Sequence, residues 1–238
     1  KAIDVVINQW WPVDFIKKLK YDVPAVKVVK CFHTALFSPT RNDGIKGILK
    51  VVFKPFYNIV KRKKALAQVD EFLPYVDKYV FLSPTFQRQY EFWTKDKEKW
   101  QGKLDAIPNP LVFDCEISEE ALRQKENIVL VVGRMLESPK RISLVIKVWH
   151  ELEKYEDAAS WNLKIVGEGP SLDDYKQMAH DLGLKRISFE GFQQPQPYYE
   201  KSKIFLMTSA FEGFGMTLIE AQQMGVVPVV MDSFLSLH

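Results

Sequence analysis

Two acids and two glycines stand close together in the stretch IFLMTSAFEGFGMTLIEAQQMGVVPVV, from Ile204 to Val230. The apolar run Ile204 to Met207 reads as a buried strand, and a helix is predicted to start near Met216 or Thr217. Between them lies a loop that holds Glu212, Gly213, Phe214 and Gly215. The first amides of a helix have no carbonyl partner and the dipole end is positive, so a strand, glycine loop and helix start make an anion site. Glu212 and Glu220 flank that site. An acid beside bound phosphate is out of place unless it accepts from something else, and neighbouring sugar hydroxyls suit a carboxylate. The pattern fits a molecule that carries both phosphate and sugar. A purely structural reading is open beside it: Met216, Leu218, Ile219 and Ala221 as core, Gly213 and Gly215 as turn residues, Glu220 as a helix-start acid.

Further basic groups fall near other strand ends. Gly133-Arg134 follows the apolar run Ile128 to Val132, and Lys140 comes shortly after. Arginine grips phosphate oxygens with two parallel bonds and lysine adds a compact charge. Together they would stabilise a diphosphate leaving group, or simply be two solvated surface bases. His33 follows a strand of the first part, where it could hydrogen-bond a sugar, act near a reacting centre, or serve the structure alone. Gly167-Glu168-Gly169-Pro170 marks a tight turn, without the dinucleotide fingerprint or a Walker lysine–serine pair. With no Asp-x-Asp pair and only scattered histidines, a metal-free reaction needing no cofactor is expected.

The elements that would position these groups alternate. Strands are predicted at Ile3–Ile7, Val26–Cys31 and Lys78–Leu82, then a helix over Thr85–Thr94. Ile107-Pro108-Asn109-Pro110 forces an extended connector. Beyond it come strands at Ile128–Val132, Leu163–Val166, Ile187–Phe189, Lys203–Met207 and Val226–Met231. Helical spacing runs through Ile142, Val145, Ile146, Trp149 and Leu152, and through Leu172, Tyr175, Ala179 and Leu182 with Gly183 as the stop. A short helical turn is predicted at Pro197–Lys201 and a helix over Met216–Met224. This is an α/β chain with doubly wound parallel sheets, which place ligands beyond the carboxyl ends of their strands. Gly133, Gly167, Gly191 and Glu212 should therefore meet on one edge. The expected division is a first domain over 1–109, a linker over 110–126 and a second domain over 127–238.

The chain has 238 residues, 47% hydrophobic and 26% charged, as in ordinary globular proteins. No apolar run is long enough to cross a bilayer, no signal-peptide pattern is expected in the opening residues Lys1-Ala2-Ile3-Asp4, which read straight into a strand, and two cysteines, Cys31 and Cys115, build no disulfide framework. A cytoplasmic setting is expected. Net charge is +3, yet Arg41 to Lys64 holds eight basic residues and one acid among Ile45, Leu49, Phe53, Phe56 and Tyr57. That segment suits an anionic membrane surface at its inner face, or is a helix with a solvated lysine face and a core face. It lacks a stacking platform, so a nucleic-acid partner is not expected.

In their order and spacing, GRMLESPKRISLVIKVW, LKIVGEGP, ISFEGF and YEKSKIFLMTSAFEGFGMTLIEAQQMGVVPVVMDSF resemble the donor-binding half of a GT-B glycosyltransferase of family four, the retaining "glycosyl transferases group 1" type. Ile107 to Pro110 resembles the interdomain connector, and the first part the later portion of the acceptor-side domain. The resemblance implies a nucleotide-sugar donor such as a UDP- or GDP-sugar and a glycan or lipid-linked acceptor, in surface polysaccharide or lipopolysaccharide synthesis. By resemblance, Arg134 and Lys140 hold the diphosphate, and Glu212 sits by the transferred sugar with the backbone of Gly213, Phe214 and Gly215. Met216 and Thr217 offer amides to phosphate, Glu220 grips the ribose, Gly191 and Phe192 lie by the base, and His33 lies near the reaction centre. The opening acceptor loop and closing helices of that family are not in the sequence, so the chain reads as truncated at both ends. Arg141 stands where the family often has glycine. A non-catalytic nucleotide-sugar-binding module, a membrane-associated assembly subunit, and a phosphorylase-like or epimerase use of the fold are the rival readings.

Overall fold

The computed structural model describes residues 3–36, 54–96, 98–114 and 117–233. Residues 41–53 of the basic segment, Cys115 and Phe234 lie outside that set. The described residues form two compact units that divide between Asn109 and Pro110.

In the first unit, strands β1 (Val5–Asn8), β2 (Lys27–Cys31), β3 (Lys78–Phe81) and β4 (Leu104–Ala106) form one sheet in that order, every pair parallel. Helices α1 (Val13–Asp22), α2 (Lys54–Asp70) and α3 (Pro84–Trp93) join them. The Ser83 hydroxyl accepts from the Phe86 amide at 3.3 Å, with Pro84 next, which fixes the start of α3. Its Phe86 and Tyr90 are buried with Tyr79 and Phe81 of β3. Asp77 ties three elements together, accepting from Lys20 of α1 at 2.6 Å, from the Val28 amide of β2 at 2.8 Å and from Lys27 at 3.3 Å. Two elements, α1 and β4, have no sequence expectation. Helix α1 buries only Val13 and Ile16 and has no side-chain cap, and β4 has three residues, so each leaves a faint pattern.

The second unit runs α4 (Glu119–Arg123), β5 (Glu126–Val132), α5 (Glu137–Lys140), α6 (Ile142–Leu152), β6 (Asn162–Val166), α7 (Leu172–Asp181), β7 (Ile187–Gly191), α8 (Gln196–Lys201), β8 (Ser202–Met207), α9 (Met216–Gln223) and β9 (Val227–Val230). Its sheet is ordered β7-β6-β5-β8-β9, all parallel. The predicted elements are present, shifted by one or two residues at their ends; β5 starts at Glu126 and Gly191 closes β7. Residues 110–114 and 117–126 fold with this unit, and Gln223 bonds both the amide and the carbonyl of Phe113.

The core explains the helical spacing. Ile142, Val145, Ile146 and Trp149 of α6 are buried against Val129, Val131, Leu163 and Ile165 of the two central strands. Each such side chain contributes about 1.5–3 kcal/mol on burial. Strand order reverses between β5 and β8, and such a reversal opens a crevice at the carboxyl ends.

Candidate functional site

The chain leaving β5 is laid against the chain leaving β6. Gly133 donates its amide to the Val166 carbonyl at 3.0 Å and Met135 donates to Glu168 at 2.8 Å. Gly167 makes this approach possible: a Cβ on it would lie 2.0 Å from the Gly133 carbonyl oxygen, and its φ is 137°. Gly167 also donates to the Gly191 carbonyl at 2.7 Å. Gly133, Gly167 and Gly191 thus share one edge, and the two-glycine turn serves backbone packing. Phe192, next along, is 74% exposed.

Lys140 ends α5, and its backbone is fastened to the chain leaving β8. The Thr208 hydroxyl lies 3.0 Å from the Lys140 carbonyl and 3.1 Å from that of Arg141, and Ala210 donates its amide to Pro139 at 2.7 Å. Arg141 takes up a left-handed conformation, φ 55° and ψ 46°. That geometry is one glycine adopts without strain, which accounts for the resemblance's glycine there. Arg134 extends an exposed side chain from the same loop.

These fastenings bring Lys140 to Glu212. Its ammonium stands 2.6 Å from Glu212 Oε1, with side chains 21% and 13% exposed. A half-buried pair of this kind interacts far more strongly than one in water. Past Glu212, Gly213 and Phe214 are half-buried, and Gly215 caps α9 at φ 74°. The Gly215 carbonyl accepts from the amides of Leu218 at 2.9 Å and Ile219 at 3.3 Å. Met216 and Thr217 are the first two helical residues, in the turn whose amides have no intrahelical acceptor.

Glu220 lies one turn further in. Tyr199, wholly buried at α8, donates its hydroxyl to Glu220 Oε2 at 2.9 Å and lies 3.2 Å from the Thr217 carbonyl. Burial, and then the Glu220 charge, push the Tyr199 phenol far up, so it stays a donor. Tyr199 and Thr208 were not singled out in the sequence. A tyrosine inside an otherwise polar helical turn and a threonine directly after a strand were the available signals.

His33 belongs to the first unit, just after β2. Its ring stacks on Trp10, centroids 6.1 Å apart and planes at 23°, and its Nε2 is buried without a hydrogen-bond partner among the described residues. Among the described residues no three His, Cys, Asp or Glu side chains gather as metal ligands, and no helix is long and apolar enough to cross a membrane.

The family model for Glycosyl transferases group 1 matches residues 113–236. A lipopolysaccharide 1,6-galactosyltransferase of Salmonella typhimurium is 29% identical over 136 residues, 54% of this chain and 36% of the relative. Its Escherichia coli counterpart is 24% identical over 217 residues, 88% of this chain and 55% of the relative. The chain therefore spans about one third to one half of these relatives. A Staphylococcus aureus TarM variant, solved with fondaparinux, α-GlcNAc-glycerol and UDP, superposes with a TM-score of 0.67 at 21% identity, over 92% of this chain and 39% of TarM. The fold is that of the GT-B glycosyltransferases, two Rossmann-like parallel sheets. By its matching residues and its architecture, this chain belongs to the Glycosyl transferases group 1 family.

Proposed function

We propose that the second unit holds the donor site of a retaining glycosyltransferase, which moves a sugar from a UDP- or GDP-sugar to a glycan or lipid-linked acceptor in lipopolysaccharide or other surface polysaccharide synthesis. The observation that carries this reading is the half-buried Lys140–Glu212 pair at the carboxyl rim, with Glu220 one helical turn beyond. In this reading Lys140 and Arg134 counter the diphosphate, joined by the amides of Met216 and Thr217. Glu220 accepts from the ribose hydroxyls, and Gly191 and Phe192 border the base. Glu212 and the backbone of Gly213, Phe214 and Gly215 orient the transferred sugar.

The transfer breaks the bond between the anomeric carbon and the diphosphate oxygen and forms one to the acceptor oxygen on the same face. The acceptor proton passes to the departing phosphate, whose negative charge Lys140 and Arg134 stabilise as it grows. No metal or cofactor has a step in this scheme. Glu212 positions and does not attack. His33 is assigned to the acceptor side. The cytoplasmic face of a membrane suits such an acceptor, and helix α2 offers it exposed Phe56, Tyr57, Ile59 and Val60 ahead of Lys61 to Lys64.

Titration calorimetry of this chain with UDP and with GDP tests the donor site. Saturable heat with one of them, weakened by Glu220→Ala, is the expected result. No heat with either nucleotide overturns the proposal.

A further inference from the structure

The segment that follows the Ile107–Pro110 connector is strapped onto the part of the second unit that carries Glu220. Of Leu111, Val112, Phe113 and Asp114, only Phe113 is half-buried, and the other three are exposed. Gln223, the last residue of α9, holds the Phe113 backbone at both polar groups. Its Oε1 accepts from the Phe113 amide at 3.3 Å, and its Nε2 donates to the Phe113 carbonyl. The Phe113 ring stands edge-on to Tyr199, with centroids 6.1 Å apart and planes at 63°. Farther along, Leu122 of α4 packs so near Gly225 that a Cβ there would lie 2.3 Å from its Cδ2. Lys125, 6% exposed, completes the strap by donating to the carbonyls of Tyr199 at 2.7 Å and Glu200 at 3.1 Å.

Tyr199 is where these contacts meet. It belongs to α8, a helix of six residues, too short to persist without outside support. Lys125 satisfies two of the carbonyls that such a helix leaves unpaired at its end. Phe113 and Phe205 confine the ring, each with its centroid 6.1 Å away. From that fixed ring the hydroxyl reaches Glu220 Oε2 at 2.9 Å. Glu220 and Gln223 stand three residues apart on α9, as neighbours on one helix face. The strap therefore bears on Glu220 by two routes, through Tyr199 and through α9. A glutamate has three rotatable side-chain bonds, and fixing them in advance spares a ligand that entropic cost.

We infer that Phe113 and Gln223 are positioning residues, which set how sharply Glu220 distinguishes a ribose from a deoxyribose without touching the nucleotide themselves. That Glu220 meets a ribose rests on the donor reading; that the strap holds Glu220 rests on the bonds above. Loosening the strap frees the carboxylate to rotate. The loss then falls on the hydroxyl that Glu220 would grip, and leaves the diphosphate contacts of the same nucleotide as they were.

Calorimetry of the whole chain with UDP, GDP and their 2′-deoxy forms tests the inference in wild type, Gln223→Ala, Phe113→Leu and Phe113→Tyr. Gln223→Ala and Phe113→Leu should each bind the ribonucleotide about three- to tenfold more weakly, with the 2′-deoxy form nearly unaffected, so that the preference ratio shrinks. Phe113→Tyr, which keeps the ring, should retain the wild-type ratio. In a Glu220→Ala background, Gln223→Ala should cost no further affinity, because the two residues act as one unit. Equal losses for ribose and deoxyribose forms, or additive losses of Gln223→Ala and Glu220→Ala, overturn the inference and leave the strap as general support of the fold. Gln223→Ala removes a half-buried side chain at a helix end, so it carries the test alone if Phe113→Leu does not fold. No heat from wild type with any of the four nucleotides brings down the donor reading and this inference with it. Heat from wild type, with an unchanged ratio in Gln223→Ala, removes the inference alone.

Discussion

The Tyr199 hydroxyl donates to Glu220 Oε2 across 2.9 Å, from a ring buried between α8 and β8. One carboxylate oxygen is thereby occupied. A carboxylate so fixed distinguishes a ribose diol from a single hydroxyl better than a mobile one, since less rotamer entropy is lost on binding. Tyr199→Phe is expected to weaken UDP binding by about tenfold or less, one lost hydrogen bond to a charged group. It should also narrow the preference for UDP over 2′-deoxy-UDP. Calorimetry with both nucleotides checks this; an unchanged preference ratio would assign Tyr199 to packing alone.

The Lys140–Glu212 pair makes an opposite kind of prediction. The Lys140 ammonium is paired with Glu212 at 2.6 Å. In the proposed donor site, Glu212→Gln removes a negative charge that the diphosphate would approach. The variant should bind UDP about three- to tenfold more tightly while any sugar transfer slows. Lys140→Met should weaken UDP binding. Weaker UDP binding in Glu212→Gln would count against a diphosphate beside Lys140.

Gly167 tests the backbone that supports this rim. A side chain there meets the Gly133 carbonyl at 2.0 Å and needs a φ of 137° that L residues rarely adopt. Gly167→Ala is expected to destabilise the second unit by about 3 kcal/mol or more. Urea unfolding followed by the fluorescence of Trp149 and Trp161 reads the loss.

Much of this was legible from residue types. The parallel strands of the second unit are short apolar runs bounded by glycine and charge, and α6 displays its buried face at Ile142, Val145, Ile146 and Trp149. The strand ends were legible to within two residues, because pairing to a neighbour decides them and a single strand does not encode its neighbour. What lay hidden was the long-range bonding. Nothing near Thr208 in sequence announces the Lys140 carbonyl, and nothing near Tyr199 announces Glu220. The first unit read less well for the same reason: Asp77 looks like any surface acid until α1 and β2 are folded against it.

Asp77 carries the pH prediction. Burial opposes its charge, but bonds from Lys20, the Val28 amide and Lys27 outweigh that and bring it down to about 2. A folded value below the unfolded one, about 3.9, means stabilisation that is complete above pH ~4 and is lost as pH falls toward 2. The contribution is about 2 kcal/mol. Asp77→Asn should lower the thermal midpoint at pH 7 and lose the part of the acid sensitivity between pH 4 and 2 that the wild type owes to this group. Scanning calorimetry across that range is the check.

Among the described residues every ladder in both sheets is parallel, so none of these strands pairs with the one before it by a tight turn. In the second unit the central strand waits longest: Leu130 of β5 lies beside Phe205 of β8. During synthesis β5 must therefore stay unaccompanied on that side until Ser202–Met207 has emerged. Loops this long are slow to close and keep sticky edges bare meanwhile. Yield in a cell should accordingly depend on holding chaperones and growth temperature more than on the equilibrium stability of the finished sheet.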